Sequence, residues 1–295
     1  MTILTKCLRK VILQEMSGTN FELVTLRGGG KSIRSVAHGE TMHIGTDPVT
    51  EASELHISQQ RVAERAVAWK GPGPFVAWDV GLGPAANAVA WITALQETGT
   101  MAEIHSYEID TAVLEFALRH SRELGYLAGW ESAVQRLLAE GHSEPVPGVR
   151  WILHRGDFSL MSPDVPAPSS ILFDPYSPAR NPEMWNLETF RKLFSCTREE
   201  IPCLLTNYTR STSARVTMLM AGWFVGRGVS TGQKEETTIA ANRPDLLESP
   251  LDGTWLSRVR SSTNASPLRG RNYVRDPISP ADYASLIAHP QFGGV

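Results

Sequence analysis

Cysteines and long apolar runs are both scarce in this sequence. The 295 residues include only three cysteines, Cys7, Cys196 and Cys203, and these form neither a Cys-x-x-Cys pair nor a metal-like cluster. A sparse, odd set of cysteines argues against a disulfide framework. No apolar run approaches the roughly 18 residues of a membrane-spanning helix, and no apolar segment follows the charged N-terminal residues. We therefore predict a cytoplasmic protein with reduced thiols and with no metal and no membrane partner.

An excess of basic charge is missing as well. The chain has 28 Lys and Arg against 31 Asp and Glu, a formal net charge of -3, so no global positive field points to nucleic acid. A local basic patch is not excluded by this balance. The hydrophobic fraction of 42% and the charged fraction of 20% are ordinary for a globular enzyme of one large domain or two small ones.

Strand-like and helix-like patterns alternate along most of the chain. Strands are predicted at residues 75–79, 104–109, 149–154, 171–173 and 202–208, with a closing hairpin of 224–229 and 236–241. Helices are predicted at residues 49–69, 84–96, 111–124, 130–139, 182–194 and 213–221. Such alternation indicates an α/β fold, Rossmann-like, with a mostly parallel, seven-stranded sheet. We expect an N-terminal hairpin and helix extension (1–70), this core (71–242) and a Pro/Ser/Arg-rich tail (243–295).

A glycine-rich loop follows the first core strand. Asp79 ends that strand, and Gly81 and Gly83 permit a tight turn and a close approach by a ligand. The pattern also fits a dinucleotide fingerprint and a purely structural turn. Pro84 removes an N–H that would bind a pyrophosphate, which favours S-adenosylmethionine over NAD. Asp79 could then accept from the ammonium group of that cofactor.

Acidic residues also follow the next two strands. Glu108 ends the second strand, where an acid suits the ribose hydroxyls of either cofactor, although a solvated carboxylate is the plain alternative. Asp110 competes for this role but is better placed as a helix cap. Asp157 follows the third strand and could accept from the adenine amino group, while Phe158 lines the ring pocket. An ordinary turn aspartate explains Asp157 almost as well.

The segment from Asp174 to Trp185 carries the most specific pattern. Asp174 ends the fourth strand and is followed by Pro-Tyr, in the manner of the Asn/Asp-Pro-Pro-aromatic loop of amino-group methyltransferases. An amine attacks through its lone pair, and a carboxylate can orient it and take its proton. Tyr176 or Trp185 could stack on a flat base. A proline-rich loop with a capping aspartate is the structural alternative.

These motifs resemble the methyltransferase domain of the bifunctional tRNA wobble-uridine enzyme MnmC, also called the DUF752 family, over roughly residues 20–242. Its glycine loop is matched here by Asp79, Gly81, Gly83 and Asn87. Its Asp-Gly-Phe-x-Pro-x-x-Asn-Pro-x-x-Trp motif is matched by Asp174, Pro178, Asn181, Pro182 and Trp185. The strand-end Glu108 and Gly156-Asp157 also correspond.

The resemblance implies a class I S-adenosylmethionine-dependent methyltransferase that acts on the exocyclic amine of 5-aminomethyl-2-thiouridine in tRNA. It further implies a stand-alone form, without the FAD-dependent oxidase domain. We expect Asp174 and Tyr176 at the reacting amine. The expected cofactor ligands are Asp79, Gly81, Gly83, Asn87, Glu108, Asp157 and Phe158. The expected substrate ligands are Arg180, Asn181, Trp185 and Lys234.

The sequence departs from the family at several positions. Ala85 replaces the third loop glycine, Pro175 follows the key aspartate, and the run 232–236 lacks the usual arginines. The tail partly compensates with basic residues that could contact phosphates, or could simply be solvated. These are Arg258, Arg260, Arg269, Arg271 and Arg275, with Trp255 and Tyr273 interleaved. A methyltransferase for another amine, a nucleotide-dependent oxidoreductase and a non-catalytic cofactor-binding module remain alternatives, although no hydride-relay motif accompanies the loop.

Overall fold

A small antiparallel sheet opens the structure, a computed structural model that describes residues 20–45, 47–161, 164–230 and 235–293. Its strands are β1 (Phe21–Thr25), β2 (Lys31–Ser35) and the short β3 (Glu40–Thr41), in the order β1-β2-β3. The hairpin predicted at the N-terminus is therefore present, and β3 extends it. The turn between β2 and β3 leads the chain toward the main sheet.

The main sheet has eight strands. They are β4 (Phe75–Val80), β5 (Ala102–Glu108), β6 (His142–Val146), β7 (Val149–Arg155), β8 (Ser170–Phe173), β9 (Leu204–Asn207), β10 (Phe224–Gly228) and β11 (Thr237–Ala241). Their spatial order is β10-β11-β9-β8-β4-β5-β7-β6. The neighbours from β9 to β7 pair in parallel, and the outer pairs are antiparallel. The chain reverses its direction of travel across the sheet between β4 and β8, and a ligand crevice forms at such a switch point.

The predicted seven strands become eight because β6 escaped the sequence analysis. Its sequence, His-Ser-Glu-Pro-Val, has little apolar alternation, and only Ser143 is buried. The strand lies at the edge of the sheet, where a proline is tolerated, and pairs with β7 from Val146 opposite Val149. The pairing depends on the turn to β7 rather than on a buried face, so the usual strand signal is absent.

Helices cover both faces of this sheet. They are α1 (Pro48–Ala52), α2 (Val62–Val67), α3 (Ala86–Leu95), α4 (Ala112–Arg119), α5 (Ser121–Leu124), α6 (Glu131–Glu140), α7 (Leu187–Ser195), α8 (Thr212–Met220), α9 (Gly253–Val259) and α10 (Pro280–Ile287). A π-helical segment (Ser53–Ser58) and two 3-10 turns (Pro182–Trp185 and Pro244–Leu246) complete them. Alternate β4 side chains enter two cores: Trp78 packs with α7 and α8, and Phe75 with α3, α4 and α6.

The predicted helix over residues 49–69 is interrupted. Asp47 caps its start as expected, accepting from the backbone N–H groups of Val49 at 3.2 Å and Thr50 at 3.1 Å. The helix then passes through the π-helical segment, and Arg61 adopts a left-handed conformation with φ of 49° before α2. Hydrophobic periodicity does not reveal such a local change in helix winding.

The C-terminal residues pack against the core despite their weak periodicity. Trp255, Val259 and Leu286 lie in the same buried cluster as Trp78. The backbone N–H of Leu268 donates to Thr217 Oγ1 at 2.8 Å, which ties this segment to α8. Because single apolar residues separated by polar turns make these contacts, no regular pattern marks them in the sequence.

Three further findings concern the cysteines, membrane-spanning helices and metal ligands. Cys203 is buried and Cys196 is half-buried, and both are free thiols; Cys7 lies outside the described residues. No helix in the described part of the chain is long and apolar enough to cross a membrane. Within the same residues, no group of three or more His, Cys, Asp or Glu side chains is placed to hold a metal ion.

Candidate functional site

A cavity of about 1000 Å³ opens at the carboxyl ends of β4, β5, β7 and β8. The structure brings nine of the predicted site residues to its wall: Gly81, Gly83, Glu108, Asp157, Phe158, Asp174, Tyr176, Arg180 and Asn181. The register explains the meeting point, since Val80 of β4 lies beside both Tyr107 of β5 and Phe173 of β8. Loops that are distant in sequence therefore emerge together at one edge of the sheet.

The glycine loop after β4 is tightly packed against the loop after β8. Gly81 has a φ of 91°, and a Cβ there would lie 3.0 Å from the backbone oxygen of Asp174 and 3.1 Å from Cα of Pro175. Only glycine fits such an approach. Ala85, in place of the third family glycine, adopts the left-handed conformation itself with φ of 70°. That conformation costs an alanine roughly 1–2 kcal/mol.

Glu108 lies between this loop and the cavity. Its carboxylate accepts from the backbone N–H of Gly83 at 2.9 Å and from that of Asp110 at 3.1 Å. Burial raises the pKa of the Glu108 carboxyl above its usual range. Asp110 accepts from the backbone N–H of Ala112 at 2.9 Å, but the N-cap of α4 is Thr111, one residue later than the sequence indicated.

Two residues expected to touch a cofactor lie behind the cavity wall instead. Asp79 is fully buried and accepts from Ser106 Oγ at 2.8 Å, while its Oδ1 has no hydrogen-bond partner among the described residues. Burial raises the pKa of Asp79 to about 7. Asn87 is also buried, and its Nδ2 donates to Asp174 Oδ2 at 2.8 Å. Neither residue lines the cavity in this structure: Asp79 is bonded to β5, and Asn87 supports the Asp174 carboxylate. Their contact with a cofactor stays a prediction.

Asp157 and Phe158 lie at the end of β7. Asp157 Oδ1 accepts from both the backbone N–H and the hydroxyl of Ser159, at 2.8 and 2.7 Å. The Phe158 ring packs against Tyr107 with 4.9 Å between ring centroids. The pair thus presents a carboxylate and an aromatic edge to the cavity, as required of a pocket for a flat heterocycle.

The loop from Asp174 to Arg180 is held by the N-terminal sheet. The carboxylate of Glu40 accepts from the backbone N–H of Ser177 at 3.2 Å and from the Ser177 hydroxyl. The ring of His38 stacks on Tyr176 with 4.2 Å between centroids. Burial raises the pKa of the Tyr176 phenol above its usual value. One face of Tyr176 is therefore already covered by protein.

Three predicted substrate ligands follow in the chain, and they differ in position. Arg180 is exposed and lines the cavity. Asn181 also lines it, with a buried Oδ1 that has no hydrogen-bond partner among the described residues. Trp185 is fully buried, and its indole N–H donates to the backbone oxygen of Tyr176 at 2.8 Å. Trp185 does not line the cavity, and its ring packs in the core, so its stacking on substrate stays a prediction that this structure does not support. Lys234 lies outside the described residues.

Other cavity residues were missed by the sequence analysis. They come from the N-terminal sheet and α1, from the turn after β9, and from the C-terminal segment: Glu40, His43, Glu51, Tyr208, Arg210 and Asn264. The segment 39–43 and the Glu-bearing helix after it resemble the N-terminal part of the family, but the sequence assigned none of these residues a place in the site, because each reaches the cavity through tertiary packing. Two tail residues singled out for their chemistry, Tyr273 and Arg275, also line the cavity.

The cavity suits S-adenosylmethionine on its own chemistry. That cofactor carries a sulfonium and an ammonium, and the carboxylates of Glu108, Asp157 and Asp174 line the space that would hold them. Pro84, which has no N–H, lies where a phosphate-binding loop would present one, and its carbonyl accepts from Tyr126 at 2.9 Å. The carboxylates and the proline of this lining therefore favour a cationic ligand without phosphates.

The chain has the fold of class I S-adenosylmethionine-dependent methyltransferases, and the lining of its cavity suits that cofactor. Residues 152–243 match a family model described as S-adenosyl-L-methionine-dependent methyltransferase. The crystal structure of MNMC2 from Aquifex aeolicus has the same fold, with a TM-score of 0.69 and 20% identity, over 97% of this chain and 92% of that one.

Curated relatives carry the name tRNA 5-methylaminomethyl-2-thiouridine biosynthesis bifunctional protein MnmC. The protein from Ralstonia nicotianae is 28% identical over 59% of this chain and 28% of its own length. The protein from Pseudomonas fluorescens is 28% identical over 71% of this chain and 32% of its own length. The chain thus spans about a third of the length of these relatives. The similarity reaches beyond the motifs, to 59% and 71% of this chain.

Proposed function

We propose that this chain transfers a methyl group from S-adenosylmethionine to the aminomethyl group of a wobble uridine in tRNA. The observation that carries the proposal is the Asp174 carboxylate, which lines the cavity beside the glycine loop. The names of the relatives supply the substrate, since they belong to enzymes of 5-methylaminomethyl-2-thiouridine biosynthesis.

The cofactor half of the cavity uses residues at the ends of β4, β5 and β7. When bound, S-adenosylmethionine supplies a methyl group activated by its positive sulfur. Glu108 would accept from the ribose hydroxyls, and Asp157 from the adenine amino group beside Phe158. The Gly81 turn allows the backbone to approach closely. Behind the cavity wall, Asp79 accepts from Ser106 of β5, and Asn87 donates to Asp174.

Asp174 would act on the methyl acceptor. A primary amine is mostly protonated near neutral pH, and it must lose a proton before or during attack. The Asp174 carboxylate can accept an N–H of the amine, orient its lone pair and take the proton. Asn87 fixes one carboxylate oxygen at 2.8 Å, so the amine meets a group whose direction is set in advance. Tyr176 also lines the cavity, and the part of its ring that His38 leaves uncovered can contact the acceptor.

Glu40 would be a positioning residue in the same reaction. It holds Ser177 through two hydrogen bonds, and Ser177 is three positions after Asp174. Tyr208 adds a second restraint, because its hydroxyl donates to the backbone oxygen of Pro175 at 3.1 Å. The loop that carries Asp174 is therefore restrained from the N-terminal sheet and from β9. Such restraint keeps the carboxylate within the small tolerance that an aligned proton acceptor requires.

A methyltransferase for another amine is the second candidate. At the cavity mouth, Arg210 is paired with Glu235 at 3.2 Å, which reduces the positive charge available to RNA there. The family's basic run near this place is also absent from the sequence. A small amine would need only the carboxylates inside the cavity.

One assay separates these candidates. The protein is incubated with S-adenosylmethionine labelled on its methyl group and with tRNA that carries the aminomethyl uridine, and label in the tRNA is measured. We expect labelling of this tRNA and none of an otherwise identical transcript without the aminomethyl group. Labelling of small primary amines but of neither RNA would reject tRNA as substrate and support the second candidate.

A further inference from the structure

Charge is distributed unevenly through the cavity. Six carboxylates line its partly or fully buried walls: Glu40, Glu51, Glu108, Asp157, Asp174 and Glu183; a seventh, Asp110, is exposed. The arginines that line it, Arg180, Arg210 and Arg275, are all exposed at its mouth. Such an arrangement draws a cationic group inward and keeps an anionic group outside, because a phosphate within the cavity would be repelled by the negative charge of these walls.

The structure divides the five tail arginines into different classes. Arg275 alone among them lines this cavity. Arg269 is ion-paired with Asp282 at 2.7 Å, so its charge is already used. Arg258 and Arg260 are exposed on and just after α9, away from the cavity wall. Arg271 is also exposed and lines a separate, smaller cavity. The general basic tail suggested by the sequence therefore contributes one cation to the site.

Arg275 is also set apart by its contacts. Its guanidinium carbon lies over the ring of Tyr273, 5.7 Å from the centroid, and Tyr273 itself packs against the core. Neither Arg275 nor Arg180 has a carboxylate partner within 4 Å among the described residues, whereas Arg210 does. A guanidinium resting on an aromatic ring and lacking an anion is prepared for a planar, bidentate contact with a phosphate.

The segment that carries Arg275 is fixed in place. The backbone oxygen of its neighbour Asp276 accepts from the N–H groups of Ala265 and Ser266, both at 2.9 Å. The backbone oxygen of Leu268 accepts from the N–H of Leu187 at 2.9 Å, at the start of α7. A phosphate at Arg275 would therefore be bound by a preformed wall, not by a loose tail.

We propose that Arg275, supported by Tyr273 and joined by Arg180, binds a backbone phosphate next to the nucleotide whose amine enters the cavity. The inference rests on the proposed function and names the part of the RNA that the cavity mouth recognises. The amine would reach the carboxylates inside while the sugar-phosphate backbone remains at the rim. The acceptor is thus recognised as part of a polynucleotide, by its charge as well as by its base.

The test compares two acceptors that share the aminomethyl uridine: an anticodon stem-loop RNA and the free nucleoside. For Arg275→Ala we expect the KM for the stem-loop to rise about tenfold, as for a lost charge-assisted contact. A plot of log affinity against log salt concentration should become less steep, by the amount that one phosphate contact contributes. The kcat, the Kd for S-adenosylmethionine and the rate with the free nucleoside should stay unchanged. Arg180→Ala should likewise raise the KM for the stem-loop and reduce its salt dependence, and Arg260→Ala is the matched control.

Three results would overturn this inference. A weaker Kd for S-adenosylmethionine in Arg275→Ala would place the carboxylate of the cofactor at this arginine. Equal losses with stem-loop and nucleoside would mean that Arg275 acts on the base, and an equal loss in Arg260→Ala would mean only general attraction. If the wild-type protein methylates neither acceptor, the proposed function itself fails, so the two failures are distinct.

Discussion

The two halves of the cavity are built in different ways. The half that would hold the cofactor takes Gly81, Glu108 and Asp157 from the ends of β4, β5 and β7, which are neighbours in the sheet. The half that would hold the acceptor combines Asp174 with Glu40 of the N-terminal sheet and Arg275 of the C-terminal segment. The first half follows from the fold alone, whereas the second depends on the additions at both ends of the chain.

The hydrogen bonds show the same contrast. Glu108 contacts Gly83, which lies 25 residues away in the sequence and at the neighbouring strand end. Glu40 contacts Ser177 across 137 residues, from a separate sheet. Binding of the cofactor should therefore tolerate changes in the added segments, while turnover should depend on them.

Removing the Asp174 charge is the strongest way to test this division. Asp174→Asn keeps the size of the side chain but removes its basicity. We expect turnover to fall by roughly two to four orders of magnitude, the usual contribution of a positioned acid–base group. The Kd for S-adenosylmethionine should change little. The two quantities are measured on the same preparation, by single-turnover kinetics and by calorimetry.

A structural role for Asp174 gives the opposite pattern. The melting temperature would then drop in Asp174→Asn, and turnover per folded molecule would equal that of the wild type. Asn87→Ala offers an independent control, because it removes the hydrogen bond to Asp174 without touching the carboxylate itself. We expect it to lower turnover less than Asp174→Asn does.

Glu108→Gln should produce the converse of the Asp174 result. The amide keeps an acceptor for the N–H of Gly83 but loses the charge that strengthens hydrogen bonds from ribose hydroxyls. We expect the Kd for S-adenosylmethionine to rise about tenfold or more, with the KM for the RNA unchanged. A rise in the RNA KM without a change in cofactor affinity would reverse the assignment of the two halves.

Glu40→Gln tests whether the N-terminal sheet positions the loop. The amide accepts more weakly from Ser177, so we expect kcat to fall about tenfold while the Kd for the cofactor and the KM for the RNA hold. The kcat of Glu40→Asp should be higher than that of Glu40→Gln, because aspartate keeps the negative charge. A merely structural defect would not show this difference. Glu22→Gln is the control, since Glu22 forms an exposed ion pair with Arg34 in the same sheet. Equal losses in both variants would point to the sheet's stability alone.

The sequence predicts the two halves unequally for a physical reason. Strand ends, turn glycines and an acid after a strand are local signals, so Gly81, Glu108, Asp157 and Asp174 could be placed before the structure. Trp185 carried an equally clear signal, yet its ring lies in the core, because an aromatic residue needed in the core looks the same in sequence as one that stacks on a ligand. The sequence assigned Glu40 no role in the site, because its contact with Ser177 joins residues that are 137 positions apart.

Burial, which the sequence also cannot express, gave Asp79 its unusual environment. Asp79 has a pKa of about 7, against 3.8 for the free side chain, because burial disfavours its charged form. The folded state therefore holds more protons than the unfolded state between these values, so this group makes stability fall as pH rises from about 4 to about 7. His56 acts in the opposite direction, because burial lowers its pKa to about 3 and stability falls as pH drops below 6.5.

Asp79→Asn should remove only the first of these slopes. The difference in free energy of unfolding between variant and wild type should grow with pH through this window and level off above pH 7. Since one pKa unit equals about 1.4 kcal/mol, the difference should be on the order of 4 kcal/mol at most. It is measured by urea denaturation from pH 4 to pH 8, and taking the difference cancels the contribution of His56. Turnover should change least of all the variants, because Asp79 lies behind the cavity wall. Parallel stability curves would show that Asp79 is ionised in the folded protein.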